Sequence, residues 1–187
     1  MGKQVTISTY ITSCSESETI ELGRKIGSLL VPGDRIYLCG DLGTGKTRIA
    51  KGLINAATNT PLDEINSPTF TLMNRYQGDP VVYHADLYRI ENDDLEEVGI
   101  EMVEESQGVL VVEWAEKIAL PSEDCLRIDL EHTDDENVRI ITLEWNVTSS
   151  WSSRLCGRLP SGNQDSASGC KSRTQNYLCY GESLCRS

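Results

Sequence analysis

Gly40-Asp41-Leu42-Gly43-Thr44-Gly45-Lys46-Thr47 is the stretch on which the reading of this chain turns. It follows an apolar run, Ile36-Tyr37-Leu38-Cys39, and leads into a segment of helical spacing that begins near Lys46. The pattern G-x-x-x-x-G-K-[ST] thus falls between a strand and a helix, the context in which it has a mechanism. Backbone N–H groups of the loop, Asp41 and Leu42 included, and the positive end of the helix form a nest for phosphate oxygens. Lys46 is expected to reach the β- and γ-phosphates and the Thr47 hydroxyl to ligate Mg²⁺.

On the N-terminal side, residues 4–10 alternate like a short strand, and Ser15 with Glu18 forms an S-x-x-E capping box. The helix it opens carries Ile20, Gly23, Ile26, Gly27 and Leu30 on one face and stops at Pro32-Gly33. On the C-terminal side, Ile49, Ala50, Leu53, Ile54 and Ala57 keep helical spacing from Lys46 to residue 57. Ser67-Pro68 is a turn signal. Residues 70–76 and 81–89 then predict two strands paired as a hairpin across Gly78-Asp79-Pro80. Residues 93–98 and 99–105 predict two short helices. Val109-Leu110-Val111-Val112 is the unbroken apolar run of a strand buried on both faces. Residues 126–130 and 138–143 predict two late strands joined as a hairpin.

The net charge of −12 over 187 residues conceals a split. Residues 1–148 carry 12 Lys/Arg against 27 Asp/Glu, a balance of −15, whereas residues 149–187 carry 5 against 2, a balance of +3. So acidic a body is a poor free-standing nucleic-acid binder, because neutralising phosphates requires a basic face. No apolar run approaches a membrane span and no signal peptide is visible, so the expected compartment is the cytoplasm. Cys14, Cys39 and Cys125 sit in or beside apolar runs and read as small buried hydrophobes. No C-x-x-C pair supports zinc. Ten of the 39 residues from Ser149 onward are serine, without apolar period. The chain is therefore read as a working domain over 1–148 and a disordered Ser/Cys-rich extension over 149–187.

A phosphate loop binds; hydrolysis also needs the metal held and the γ-phosphate addressed. Glu113, directly after four aliphatics, has the position of a Walker B acid at the end of a buried strand. Asp86 is the second candidate; it shares a strand face with His84 and either ligates Mg²⁺, directly or through water, or orients an attacking water. His84 itself reads as a structural histidine, and His132 receives no role. Thr69, in Ser67-Pro68-Thr69, either senses a γ-phosphate as switch segments do or belongs to a turn that simply starts a strand. Trp114 either covers the nucleotide or packs in the core. No N-K-x-D or T-K-x-D motif for reading guanine is present, which favours ATP.

Four phrases, taken in order, resemble one family. Gly-Asp-Leu-Gly-Thr-Gly-Lys-Thr (40–47), Ser-Pro-Thr-Phe-Thr-Leu (67–72), His-Ala-Asp-Leu-Tyr-Arg (84–89) and Val-Glu-Trp-Ala-Glu-Lys (112–117) are similar to the motifs of the TsaE (YjeE) family, over about residues 4–145. The resemblance implies an α/β, P-loop NTPase-like three-layer fold, with a mixed, mostly parallel central sheet of about seven strands and flanking helices. It implies an ATP hydrolase stimulated by TsaB and TsaD, which meets tRNA only through that complex. TsaD performs the threonylcarbamoyl transfer to A37. By motif, Gly43, Thr44, Gly45, Lys46 and Thr47 would bind phosphates, and Thr47 and Glu113 would hold Mg²⁺. Asp86 would be the acid of H-x-D-x-Y-R, Thr69 the switch threonine, and Trp114 a neighbour of the nucleotide. Lys46, Asp86 and Glu113 are thus the expected catalytic residues, with Asp86 also a metal candidate. Thr44 stands where the family often has alanine. Two other readings remain open on the residues alone: a small-molecule phosphotransferase with Asp86 as base, and a nucleotide-dependent switch without turnover.

Overall fold

Four aliphatics in succession at 109–112 leave a strand no face for water, and the architecture is built outward from that strand. The computed structural model describes residues 5–90, 99, 103, 106–117, 124–156 and 158, with the backbone of 175–177. The chain runs β1 (Thr6–Ser13), α1 (Glu16–Gly27), β2 (Arg35–Cys39), α2 (Lys46–Thr58), β3 (Met73–Tyr76), β4 (Val82–Asp86) and β5 (Val109–Glu113). There follow a 3-10 turn (Ala115–Lys117), β6 (Cys125–His132), β7 (Arg139–Asn146), α3 (Ser150–Leu155) and β8 (Gln175–Tyr177). The expected helices at 93–98 and 99–105 lie outside the described residues, apart from positions 99 and 103.

The strands form one sheet in the order β3-β4-β5-β2-β6-β7-β1-β8. It is mixed, as expected, but parallel only at its centre, where β4, β5, β2 and β6 run together. The outer pairings are antiparallel: β3–β4 and β6–β7 are hairpins whose short loops can only reverse the chain, and β1 lies antiparallel between β7 and β8. Every residue of β4 and β5 is buried. β7, with one face covered, alternates from Ile141 onward.

Helices α1 and α2 cover one face of the sheet, and their packing explains the glycines that a helix would otherwise avoid. A Cβ on Gly23 would lie 2.4 Å from the Ile49 carbonyl oxygen, and one on Gly52 would lie 2.1 Å from that of Ile20. The two backbones touch, and no side chain fits between them. At the head of α1 the Ser15 hydroxyl accepts from the Glu18 N–H at 3.2 Å, and the Glu18 carboxylate accepts from the Cys14 N–H at 2.7 Å. Ile26, Ile49, Leu53, Val111, Ile128 and Leu143 lie in the core on this face. The opposite face packs Tyr37, Tyr83, Leu110 and Val112 against Leu87, Ile90, Val103 and Ala115, completing the third layer.

Two expectations are corrected here. The working domain does not stop at residue 148. α3 buries Trp151 and Leu155 in the main core, and Arg154 forks onto Asp34 with N···O distances of 2.5 and 2.7 Å. Gln175–Tyr177 adds a strand to β1. The serine-rich composition hid a helix with only two apolar side chains to anchor it. The buried-hydrophobe reading of the cysteines holds for Cys39 and Cys125, whereas Cys14 is half-buried and disulfide-bonded. No helix among the described residues is long and apolar enough to cross a membrane.

Candidate functional site

The parallel strands at the centre all end at the same edge of the sheet, and the glycine loop connects β2 to α2 along that edge. Gly40 is required there twice: its φ is +130°, and a Cβ would lie 2.2 Å from the carbonyl oxygen of Leu130. Gly45 caps α2 in the left-handed region, at φ 106°, and supplies no side-chain hydrogen bond to the first turn. The first-turn N–H groups therefore point out of the helix, with its positive end behind them, as an anion site demands.

The loop opens into a cleft of about 680 Å³ lined by Leu42, Gly43, Thr44, Gly45, Lys46 and Thr47 on one side, and by Thr69, Asp86, Glu113 and Trp114 on the other. Every expected site residue except Asp41 thus meets in one place. The volume falls within the range of small-molecule pockets. Asp41 contributes its backbone: its carbonyl accepts from the Lys46 ammonium at 2.8 Å and from the Thr44 hydroxyl at 2.9 Å. Thr44 is buried, so its hydroxyl tightens the loop from within.

Lys46 also donates to the Gly40 carbonyl at 2.5 Å and lies 3.6 Å from the centre of the Trp114 ring. Burial pushes its ammonium pKa down, while the carboxylates of Glu116, Glu113, Asp86 and Asp41 oppose that shift. Trp114 reaches the lysine because its backbone turns sharply after β5, at φ 60°. Its ring also meets that of Tyr88, with centroids 5.0 Å apart. The tryptophan lines the cleft and also packs partly against the second core cluster.

Glu113 faces α2. Its Oε2 accepts from the Thr47 hydroxyl at 2.9 Å, and its Oε1 lies 2.8 Å from His84 Nε2. Asp86 is the register partner of Glu113 on the adjacent strand, yet it addresses a different element. Its Oδ2 accepts from the hydroxyls of Ser67 and Thr69, the latter at 2.8 Å, and its Oδ1 accepts from the Tyr88 N–H at 2.9 Å. These contacts explain why the expected strand at 70–76 starts only at Met73. The chain first turns at 67–72, with the Leu72 N–H donating to the Pro68 carbonyl at 2.7 Å, to bring both hydroxyls onto Asp86.

Two supports had no sequence signal. His132, from the end of β6, lies with Nε2 3.0 Å from the Leu42 carbonyl oxygen, and Arg139 Nε donates to the Thr44 carbonyl at 3.2 Å. Both brace the loop from more than 80 residues away, through the β6–β7 hairpin. Of the other arginines, Arg127 pairs with Asp129 and Arg89 stacks at 5.1 Å on the exposed ring of Phe70.

The model of one family, described as threonylcarbamoyl adenosine biosynthesis protein TsaE, matches residues 13–141. The chain belongs to the TsaE family. Among curated TsaE-family relatives, the tRNA threonylcarbamoyladenosine biosynthesis protein TsaE of a Nostoc species is 33% identical over 147 residues, covering 76% of this chain and 90% of its own. The protein of the same name from Bacillus subtilis is 38% identical over 122 residues, covering 64% and 75% respectively. The crystal structure of YdiB from Bacillus subtilis superposes with a TM-score of 0.58 at 27% identity, covering 82% of this chain and 95% of that one. The TsaE match ends at residue 141, so α3 and β8 lie beyond it.

Proposed function

We propose that this TsaE-family chain is a Mg²⁺-dependent ATPase of the cytoplasm. It supports threonylcarbamoylation of adenosine 37 in ANN-reading tRNAs within a complex containing TsaB and TsaD, and does not itself transfer the group. The observation that carries the reading is the approach of the Thr47 hydroxyl to the Glu113 carboxylate at 2.9 Å, at the mouth of the loop that presents Lys46. Both donors are oxygens, from the first turn of α2 and the end of β5, and oxygen donors suit Mg²⁺. When bound, the ion supplies positive charge to the β- and γ-phosphate oxygens.

The remaining roles follow from what each side chain already does. Lys46 exchanges its two loop carbonyls for phosphate oxygens. The loop and first-turn N–H groups take up the rest of the triphosphate charge. Asp86 holds Ser67 and Thr69 beside Glu113, so the hydroxyl of Thr69 is within the same cleft as the γ-phosphate. The absence of a guanine-reading motif supports ATP as the nucleotide. The phosphotransferase alternative has less support, because both oxygens of Asp86 already accept hydrogen bonds.

The test is ATP turnover by the full chain, alone and with TsaB and TsaD. Slow turnover alone and a clear rise with both partners is the expected result. Fast turnover unaffected by the partners, or release of a phosphorylated acceptor in place of phosphate, would overturn the proposal.

A further inference from the structure

We infer that His84 is a positioning residue for the Glu113 carboxylate, holding one of its oxygens so that the other is presented to Mg²⁺ beside Thr47. The inference rests on the ATPase reading above and adds to it a residue that packing alone does not explain.

The geometry begins with strand register. β4 and β5 are parallel, His84 faces Val111 and Asp86 faces Glu113. The two-residue period puts His84, Asp86 and Glu113 on the face that looks toward α2. His84 is thus one register step behind the two carboxylates, deep enough to be fully buried.

A glutamate carboxylate turns easily about its last torsion, which is broad and roughly two-fold. Glu113 is instead held at both ends, Oε1 at 2.8 Å by His84 Nε2 and Oε2 at 2.9 Å by Thr47 Oγ1. A carboxylate has only lone pairs to offer, so the hydrogen in the first contact is on Nε2. When the Thr47 hydroxyl turns to a metal, the His84 bond is the one that keeps the carboxylate plane in place. Among the described residues no other hydrogen bond to Oε1 is formed, so without His84 this buried oxygen faces no donor.

The second ring nitrogen shows why packing alone does not account for this residue. Among the described residues His84 Nδ1 has no hydrogen-bond partner, although the side chain is fully buried. An orphaned buried nitrogen costs stability, and leucine would fill the same face beside Val82 and Val111 without that cost. A histidine kept only for packing is therefore a poor solution here, whereas one kept for its Nε2–H is a good one. Partners of this kind, behind a metal ligand, typically change metal affinity by about 10- to 100-fold.

The experiment uses the full chain saturated with ADP, with Mn²⁺ binding followed by electron paramagnetic resonance. His84→Leu is expected to weaken Mn²⁺ binding by about 10- to 100-fold while leaving ADP affinity in EDTA within about twofold of wild type. His84→Gln, which retains an N–H donor, is expected to recover most of the loss. Wild-type Mn²⁺ affinity in a folded His84→Leu protein overturns the inference, and so does equal weakening in the two variants. Should His84→Leu fail to fold, His84→Gln decides alone: a loss as large as that of Glu113→Ala overturns it. Nitrogen-15 spectra of the wild-type ring supply a readout that folding does not move, with the hydrogen expected on Nε2; a ring protonated on Nδ1 alone rules the inference out. Absence of Mn²⁺ binding by the ADP-loaded wild-type chain would instead bring down the ATPase reading, and this inference with it.

Discussion

The hydroxyl of Thr47 and the carboxylate of Glu113, 66 residues apart in the chain, meet at 2.9 Å and join the first turn of α2 to the end of β5. On the function proposed above, replacing Glu113 with alanine removes the oxygen that would hold Mg²⁺ beside Thr47, together with the Thr47 hydrogen bond. Since a bound metal supplies several kcal/mol of transition-state stabilisation, Mg²⁺-dependent turnover is expected to fall by about 100-fold or more. ADP affinity in EDTA should stay close to wild type. Steady-state phosphate release and calorimetric titration measure the two effects separately, and unchanged turnover would sink the assignment of Glu113.

Lys46→Ala acts on the opposite term. The ammonium contributes charge-assisted hydrogen bonds worth about 1.5–3 kcal/mol, so ATP affinity should drop by at least tenfold. Because Lys46 also bonds the Gly40 and Asp41 carbonyls, hydrogen exchange at 40–45 should quicken in the variant even without nucleotide.

Asp86 gathers three donors, from Ser67, Thr69 and Tyr88. Asp86→Ala removes three hydrogen bonds and leaves the two hydroxyls only their contact with each other at 3.0 Å, at a cost of about 2–4 kcal/mol by typical hydrogen-bond contributions. The expected signature is a lower urea midpoint together with faster proteolysis inside 67–72. A variant whose 67–72 segment stays as protected as wild type would mean that Asp86 does not hold the turn.

Trp151 is fully buried although it lies past the TsaE match, and the Arg154 guanidinium is 3.9 Å from the centre of its ring. Trp151→Ala should cost about 3–5 kcal/mol, as large aromatic truncations in cores do. Truncation at 148 should do at least as much damage. Chemical denaturation of both proteins checks this, and a midpoint equal to wild type would return α3 to the status of an appendage.

Burial pushes the Cys39 thiol from 9.0 up to about 12. Between those values an unfolded chain loses the proton that the folded one keeps, so the native state holds more protons and loses stability as pH rises. The contribution is fully present below pH 9 and is lost towards pH 12, at no more than about 1.4 kcal/mol per pH unit. Urea unfolding at pH 8, 9.5 and 11 should show a shallower decline in Cys39→Ala than in wild type.

The parts of the site that a sequence can display are the local ones. The glycine loop, the capping box at Ser15 and Glu18 and the four aliphatics before Glu113 each carry a physical reason within a few neighbours. They placed α1, α2 and β5 and drew Lys46, Thr47, Asp86 and Glu113 into one cleft. The braces His132 and Arg139 were invisible because each works through a backbone carbonyl of the loop, which any residue type would present. His84 was read for its own environment, whereas its contact depends on register with β5. α3 was missed because six residues give too little period to separate two apolar anchors from a serine-rich background.

The backbone contact between α1 and α2 has a mechanical consequence. With Gly23 against Ile49, Gly27 against Leu53 and Gly52 against Ile20, neither helix can slide past the other without a collision of main chains. The phosphate-loop helix and its neighbour form a single abutment, fixed to the sheet. On the nucleotide-binding reading proposed above, a ligand at the loop would meet a fixed wall on that side, and any yielding would fall to the other, where the 67–72 turn is held by hydroxyls on Asp86 and carries Phe70 out into solvent.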